Sequence, residues 1–261
     1  MMIEFMKYEG TGNDFIILDN RKGMYSSLTR EQIAFLCNRH FGIGADGVMM
    51  LQLKEGYNFE MIYFNADGGE GSMCGNGGRC LTAFAKKLSV IKNKAHFIAA
   101  DGDHNATVNE TGIVELKMKD VTDVERHENY CVLNTGSPHY IQWVTDTKTV
   151  DVVKEGKAIR YGERFNTEGI NVNFVQVQPT YLTVRTYERG VENETLSCGT
   201  GVTASAIAAA NETKDLQEIS VVTLGGELLV KFKRTGNTSF ADIWLCGSAK
   251  FVFEGIINLT A

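Results

Sequence analysis

One short pattern that occurs twice constrains this chain more than any other feature. Met73-Cys74-Gly75-Asn76-Gly77 leads into a helix-forming stretch, and Ser197-Cys198-Gly199-Thr200-Gly201 does the same about half a chain later. A pattern repeated at half-length implies two related halves, each delivering one cysteine where a strand gives way to a helix. The 261 residues are enough for two domains with a core each. A weaker echo links Glu9-Gly10-Thr11-Gly12-Asn13-Asp14-Phe15 to Glu168-Gly169-Ile170-Asn171-Val172-Asn173-Phe174. The charged stretch at Val121 to Glu125 interrupts the apolar runs, so the halves are expected to be residues 1–122 and 123–249.

Short or alternating apolar runs bounded by Gly, Asn and Asp dominate the chain and read as strands. They are Phe15 to Leu18, Val48 to Leu53, Phe59 to Phe64, Ile113 to Met118, Tyr140 to Val144, Val172 to Val177, Leu182 to Tyr187, Ile219 to Val222, Leu228 to Phe232 and Ala241 to Leu245. Helical character is expected in only three places: Thr29 to His40, Cys80 to Leu88 with its preceding turn, and the Ala-rich Thr200 to Asn211. The class is therefore α+β, with sheet in the majority.

A cysteine at the first turn of a helix meets outward-facing N–H groups and the positive end of the macrodipole, which favours the thiolate. The adjoining glycines let a ligand approach the backbone, so the same helix start can hold a carboxylate. Two such junctions facing each other would place a sulfur on either side of the carbon next to that carboxylate. One thiolate could take the α-proton while the opposite thiol returns one, inverting the centre. Cys37, Cys131 and Cys246 lie in or beside apolar runs and read as small buried hydrophobes, and Cys80 reads as facing the core of its own helix.

Other chemistries find less support. No metal-ligand spacing accompanies the cysteines, and Cys74 and Cys198 lack the Cys-x-x-Cys spacing of a redox dithiol. Gly42-Ile43-Gly44-Ala45-Asp46-Gly47 matches the dinucleotide fingerprint, but a helix precedes it and a strand follows, the reverse of what the fingerprint requires. The net charge of −6 and the lack of a Lys/Arg block argue against a nucleic-acid surface. No apolar run is long enough to span a membrane or to serve as a signal peptide, so no membrane partner and a cytoplasmic location are expected.

The residues also carry a family resemblance. Tyr63-Phe64-Asn65-Ala66-Asp67-Gly68 followed by Met73-Cys74-Gly75-Asn76-Gly77-Gly78-Arg79-Cys80 resembles the first signature of the diaminopimelate epimerases. Gly12-Asn13-Asp14-Phe15, Gly42 to Gly47, Gly136-Ser137-Pro138-His139, Tyr187-Glu188-Arg189-Gly190 and Glu194 to Gly201 resemble the family's other landmarks, in order. The resemblance implies two pseudo-symmetric domains, each a curved, mostly antiparallel or mixed sheet around a central helix, with residues 250–261 returning to the first. It implies reversible interconversion of LL- and meso-2,6-diaminopimelate, in the lysine and peptidoglycan route, with no pyridoxal phosphate and no metal. Cys74 and Cys198 would be the acid/base pair, assisted by His139 and Glu188. Gly75, Asn76, Gly199 and Thr200 would hold the reacting carboxylate. Asn13, Asn65, Asn171, Glu188 and Arg189 would read the distal end, Arg189 gripping the distal carboxylate through two parallel hydrogen bonds. Two positions depart from the family pattern: Ser137 stands where Asn is frequent, and Gly47 where some members carry Gln.

The alternatives are a proline or hydroxyproline racemase, a carboxylate-based isomerase of the same fold, a pyridoxal-phosphate racemase and a non-catalytic amino-acid-binding protein. The partner in each enzymatic reading is a small molecule, and a homodimer is the assembly left open.

Overall fold

The computed structural model describes residues 1–259, so Thr260 and Ala261, at the tip of the expected return segment, lie outside the described residues. The chain divides into two compact units, one of Met1–Leu116 with the segment from Gly247 onward, the other of Lys117–Cys246. The first holds β1 (Met2–Gly10), β2 (Asn13–Asp19), α1 (Arg30–Cys37), β3 (Gly47–Gln52), β4 (Phe59–Asn65), α2 (Gly75–Lys87), β5 (Lys94–Ala99), β6 (Gly102–Val108) and β7 (Ile113–Lys117). The second holds β8 (Val124–Arg126), β9 (Tyr130–Asn134), β10 (Pro138–Trp143), α3 (Val152–Arg160), β11 (Asn171–Val177), β12 (Tyr181–Glu188), β13 (Asn193–Thr195), α4 (Gly199–Ala208), β14 (Leu216–Thr223), β15 (Gly226–Arg234) and β16 (Phe240–Ser248). Finally, β17 (Lys250–Asn258) pairs antiparallel with β1.

The two units repeat one plan. In the first, the strands run β17-β1-β2-β3-β4-β5-β6-β7 across the sheet, with β2–β3 and β4–β5 parallel. In the second they run β8-β9-β10-β11-β12-β14-β15-β16, with β10–β11 and β12–β14 parallel. A parallel pair needs a crossover, and each unit supplies two helices in the same places: α1 and α3 in the first crossover, α2 and α4 in the second. Register gives residue equivalences. Phe15 opposes Gly47 and Met49 opposes Tyr63, while His139 opposes Asn171 and Asn173 opposes Thr186. Phe15, Met49 and Tyr63 therefore hold the positions that His139, Asn173 and Thr186 hold in the second unit. The Glu9–Phe15 and Glu168–Phe174 echo does not mark equivalent sites, because β2 corresponds to β10 and not to β11.

Helices on both faces explain the burial pattern. All four residues Phe15 to Leu18 are buried, since Ile16 and Leu18 pack in the cluster with Ile33 and Leu36 of α1, whereas the other face lies under α2. In the second unit Val172 and Phe174 pack with Val152 of α3, and α4 packs on β9, β10, β11, β12, β14 and β15. Nearly every residue of α4 is buried, so its apolar, Ala-rich sequence with little amphipathic contrast suits a central helix. Among the described residues no helix is long and apolar enough to cross a membrane.

Two helical expectations need correction. α3 was not expected, because Val152-Val153-Lys154-Glu155-Gly156 is charged and interrupted by glycine. Gly156 is there because a Cβ would stand 2.4 Å from Tyr187, so the helix can approach the sheet only without a side chain. α2 begins at Gly75, not at Cys80; its three glycines hide it from propensity, but packing and the helix ladder hold it.

Candidate active site

Both cysteines of the repeated pattern are helix N-caps. Cys74 caps α2 and Cys198 caps α4, each with extended backbone and neither making a side-chain cap bond. Their carbonyls open the helical ladders, accepting from Gly78 and Val202 at 2.7 and 2.8 Å. By contrast, α1 starts with a full capping box in which Thr29 and Gln32 bond reciprocally. Cysteine is a poor cap, and the usual Ser, Thr, Asp or Asn is worth about 1 kcal/mol over a non-capping residue. Both equivalent helix starts forgo a side-chain cap bond and present a sulfur instead.

In the first unit the Cys74 thiol donates to Asn13 Oδ1 at 3.7 Å. Asn13 begins β2, just after a two-residue turn in which Thr11 and Gly12 both have positive φ, 58° and 82°. That turn is pinned by Arg79, fully buried on α2, whose Nη2 donates to Thr11 Oγ1 at 2.6 Å. Asn13 Nδ2 donates to Asp46, and Asp14 beside it pairs with Lys7 and Arg39, both at 2.7 Å. Burial pushes the Asp14 carboxyl up, but the hydrogen bonds and charges of Arg39 and Lys7 outweigh it and hold the group at about 2. Asn65 ends β4, exposed, opposite Gly47. A Cβ at Gly47 would lie 2.5 Å from the Phe64 carbonyl and 2.6 Å from the Tyr63 ring, so this backbone has no room for a side chain. Gly75 and Asn76 form the first turn of α2, whose backbone N–H groups point out of the helix end.

The second unit places His139, Thr200 and Cys198 in one hydrogen-bonded row. His139 Nε2 lies 2.9 Å from Thr200 Oγ1, and Thr200 Oγ1 lies 3.4 Å from Cys198 Sγ. Behind the ring, Asn173 Nδ2 stands 3.0 Å from His139 Nδ1 and also donates to the Tyr140 carbonyl at 3.2 Å, while Asn173 Oδ1 accepts from Thr186 at 2.9 Å. His139 is fully buried; burial, and next the positive charge of Arg189, lower its pKa to about 3, so the ring is neutral. Gly199 and Thr200 make the first turn of α4.

Glu188 ends β12 half-buried, and its carboxylate accepts from Thr195 Oγ1 at 2.9 Å. Asn171 is buried and engages its whole carboxamide within the protein. Its Nδ2 donates to Ser137 Oγ at 2.7 Å and to the Pro138 carbonyl at 3.1 Å, and its Oδ1 accepts the Arg189 N–H at 2.9 Å. The exposed Arg189 side chain donates to the Glu168 carbonyl at 2.9 Å. Asn13, Asn65, Cys74, Gly75 and Asn76 thus belong to the first unit, and His139, Asn171, Glu188, Arg189, Cys198, Gly199 and Thr200 to the second. Sequence reasoning singled out neither Asn173 nor Thr186, and it gave no role to Arg79 or Thr11. The available signal was a second buried polar residue, Asn173, two positions after Asn171 on the same face of β11.

Known proteins resemble this chain over nearly its whole length. The sequence model of the family described as Diaminopimelate epimerase matches residues 5–124 and 131–252. A diaminopimelate epimerase of Flavobacterium psychrophilum is 51% identical over 98% of this chain and 100% of its own, and that of Chlorobaculum tepidum is 40% identical over 96% and 99%. Among solved structures, a Bacillus anthracis phenazine biosynthesis protein of the PhzF family superposes with a TM-score of 0.73 at 15% identity, covering 99% of this chain and 100% of its own. A hydroxyproline epimerase from Agrobacterium vitis gives 0.69 at 13%, covering 98% and 92%. At such identities the structural likeness establishes the fold, an α+β pair of similarly built halves, and the sequence matches establish the rest: the chain belongs to the diaminopimelate epimerase family of isomerases.

Proposed function

We propose that this protein interconverts LL- and meso-2,6-diaminopimelate by two-base proton transfer, with Cys74 and Cys198 as the acid/base pair. The observation that carries the reading is the pair of uncapped helix starts, each led by a cysteine, at equivalent places in two units of one plan. The thiolate of one cysteine takes the α-proton. The electron pair left by the broken C–H bond spreads into the α-carboxylate, where outward-facing N–H groups of Gly75, Asn76, Gly199 and Thr200 stabilise the charge. The thiol of the other cysteine then gives its proton to the opposite face and becomes the thiolate, so the pair ends with its roles exchanged. No electron leaves the system, and the chemistry requires neither pyridoxal phosphate nor metal.

In this reading Arg189 binds the distal carboxylate, aided by Asn13, Asn65 and Glu188, and Asn171 serves by fixing the main chain at Arg189. Glu188 also assists at the second unit's site, its carboxylate oriented by the Thr195 hydroxyl. Residues 1–122 with 250–261, and 123–249, act as the two functional halves. The six cysteines are free thiols, in keeping with a cytoplasmic enzyme of lysine and peptidoglycan synthesis. A homodimer would cover the exposed Phe251, Val252, Phe253 and Ile256 of β17, and sedimentation of the purified protein tests it.

The test of function is to incubate purified, reduced protein without added cofactor with LL-diaminopimelate, and separately with L-proline, and to follow the stereoisomers formed. Conversion of diaminopimelate alone supports the proposal. Conversion of proline instead would keep the chemistry and discard the substrate, and conversion of neither would favour a binding protein.

A further inference from the structure

Asn173 stands behind His139, and its position decides where a proton sits. Its amide orientation is not arbitrary: Nδ2 lies 3.2 Å from the Tyr140 carbonyl, which can only accept, and Oδ1 lies 2.9 Å from the Thr186 hydroxyl. The second amide proton therefore points at His139 Nδ1, 3.0 Å away, and that nitrogen must be the acceptor. A neutral imidazole then carries its proton on Nε2, which donates to Thr200 Oγ1 at 2.9 Å. Having received that bond, the Thr200 hydroxyl has its own proton to give, and Cys198 Sγ stands 3.4 Å away. Every bond in the row thus runs in one direction, toward the sulfur.

The second glycine of the cysteine pattern belongs to the same device. A Cβ at Gly201 would stand 2.3 Å from Asn173 Oδ1 and 3.3 Å from His139 Cε1, so the helix start can meet the row only without a side chain. At the equivalent place in the first unit, a Cβ at Gly77 would instead meet Met49 and, at 3.5 Å, Phe15. At Cys74 the hydrogen bonds run the other way, away from the sulfur: its thiol donates to Asn13 Oδ1, and Asn13 Nδ2 donates in turn to Asp46.

We propose that Asn173 is a positioning residue of this reaction: it fixes the His139 tautomer, which turns the Thr200 hydroxyl toward Cys198 and makes Cys198, rather than Cys74, the thiolate of the resting pair. The inference rests on the two-cysteine reading, and adds to it an order between the cysteines and a role for Asn173, with Thr186 holding the amide. His139 acts through Thr200 and does not itself carry the substrate's proton.

Two readouts test this without relying on turnover. Nitrogen-15 NMR of histidine-labelled protein should show His139 neutral and protonated at Nε2; protonation at Nδ1 in the unmodified protein would overturn the proposal. Competitive alkylation at limiting reagent, with each cysteine quantified by mass spectrometry, should find Cys198 reacting faster than Cys74. Thr200→Val and Asn173→Leu should slow Cys198 alone, by about tenfold for loss of one hydrogen bond to a charged sulfur, and Thr200→Ser should restore it. Unchanged Cys198 reactivity in folded Thr200→Val would overturn the proposal even if Asn173→Leu failed to fold. If the reactivities shift as expected while diaminopimelate is not turned over, the order of the cysteines stands and the substrate reading falls.

Discussion

The two helix starts share a backbone plan and differ in what stands behind them. Behind Gly201 are His139 and Asn173, polar, buried and hydrogen-bonded in a row; behind Gly77, at the same fold positions, are Phe15 and Met49. The line behind Gly201 can run toward the Cys198 sulfur, whereas the Cys74 thiol gives its proton to Asn13, in front of apolar packing at Gly77. The duplicated fold supplies two equivalent cysteine positions, and the residues behind them make the positions unequal. The polar row is tolerable in a core only because its members satisfy one another: removing a single partner would leave a buried donor or acceptor exposed to the full cost of desolvation.

The largest effects should come from the sulfurs. Cys74→Ser and Cys198→Ser are each expected to lower epimerisation about a hundred- to ten-thousandfold, the usual span for an acid or base. Because serine is a good N-cap, the same variants should keep their stability in urea or gain up to about 1 kcal/mol. Loss of stability with retained activity would mean that the cysteines serve packing.

Acid should expose the row in the second unit. His139 is held neutral in the fold, with a pKa of about 3 against 6.5 in a free side chain, so below 6.5 the unfolded chain binds the extra proton. Its contribution is fully present above pH 6.5 and is lost as pH falls toward 3, on the order of a few kcal/mol in all. His139→Gln should flatten this decline in urea titrations read between pH 7 and about 5, before the separate losses from Asp14 and Glu125, both held near 2, set in. An unchanged slope would show that the imidazole is not held neutral.

A subtler test compares the glycines. Gly201→Ala must push a carboxamide fixed by three hydrogen bonds and should cost about 1–3 kcal/mol, as overpacking does. Gly77→Ala meets the flexible end of Met49 and should come close to neutral once the better helix propensity of alanine is counted. Equal costs in the two variants would break the comparison. The smallest effect is expected at α1, where Thr29→Ala should lose about 1 kcal/mol of capping and leave both thiol reactivities unchanged.

The sequence showed the strands whose burial leaves an alternating or continuous apolar run, and the doubled cysteine pattern showed two equivalent helix starts. It did not show β5 or β6, where Lys94 to Ala99 and Gly102 to Val108 mix charged and polar residues with small ones, or β17, whose outward Phe and Ile side chains carry no simple alternation. It hid α3 and the start of α2 because glycines that permit close packing also lower helix propensity. Cys74 and Cys198 were legible as helix caps because their context repeats. Asn173 and Thr186 were not, because their meaning depends on register: only when β11 lies between β10 and β12 does an inward asparagine meet His139 on one side and Thr186 on the other. The same holds for Arg79, whose partner Thr11 is distant in sequence.

The central claim is that two different groups handle the proton on the two faces of the substrate. The direct measurement is to run the reaction on LL-diaminopimelate in D2O and, at low conversion, to locate deuterium in both recovered substrate and product. Two-base transfer predicts a meso product carrying solvent deuterium at the inverted carbon while the unreacted LL pool keeps its hydrogen. A product that retains the substrate's own hydrogen, returned by a single base, would contradict the account.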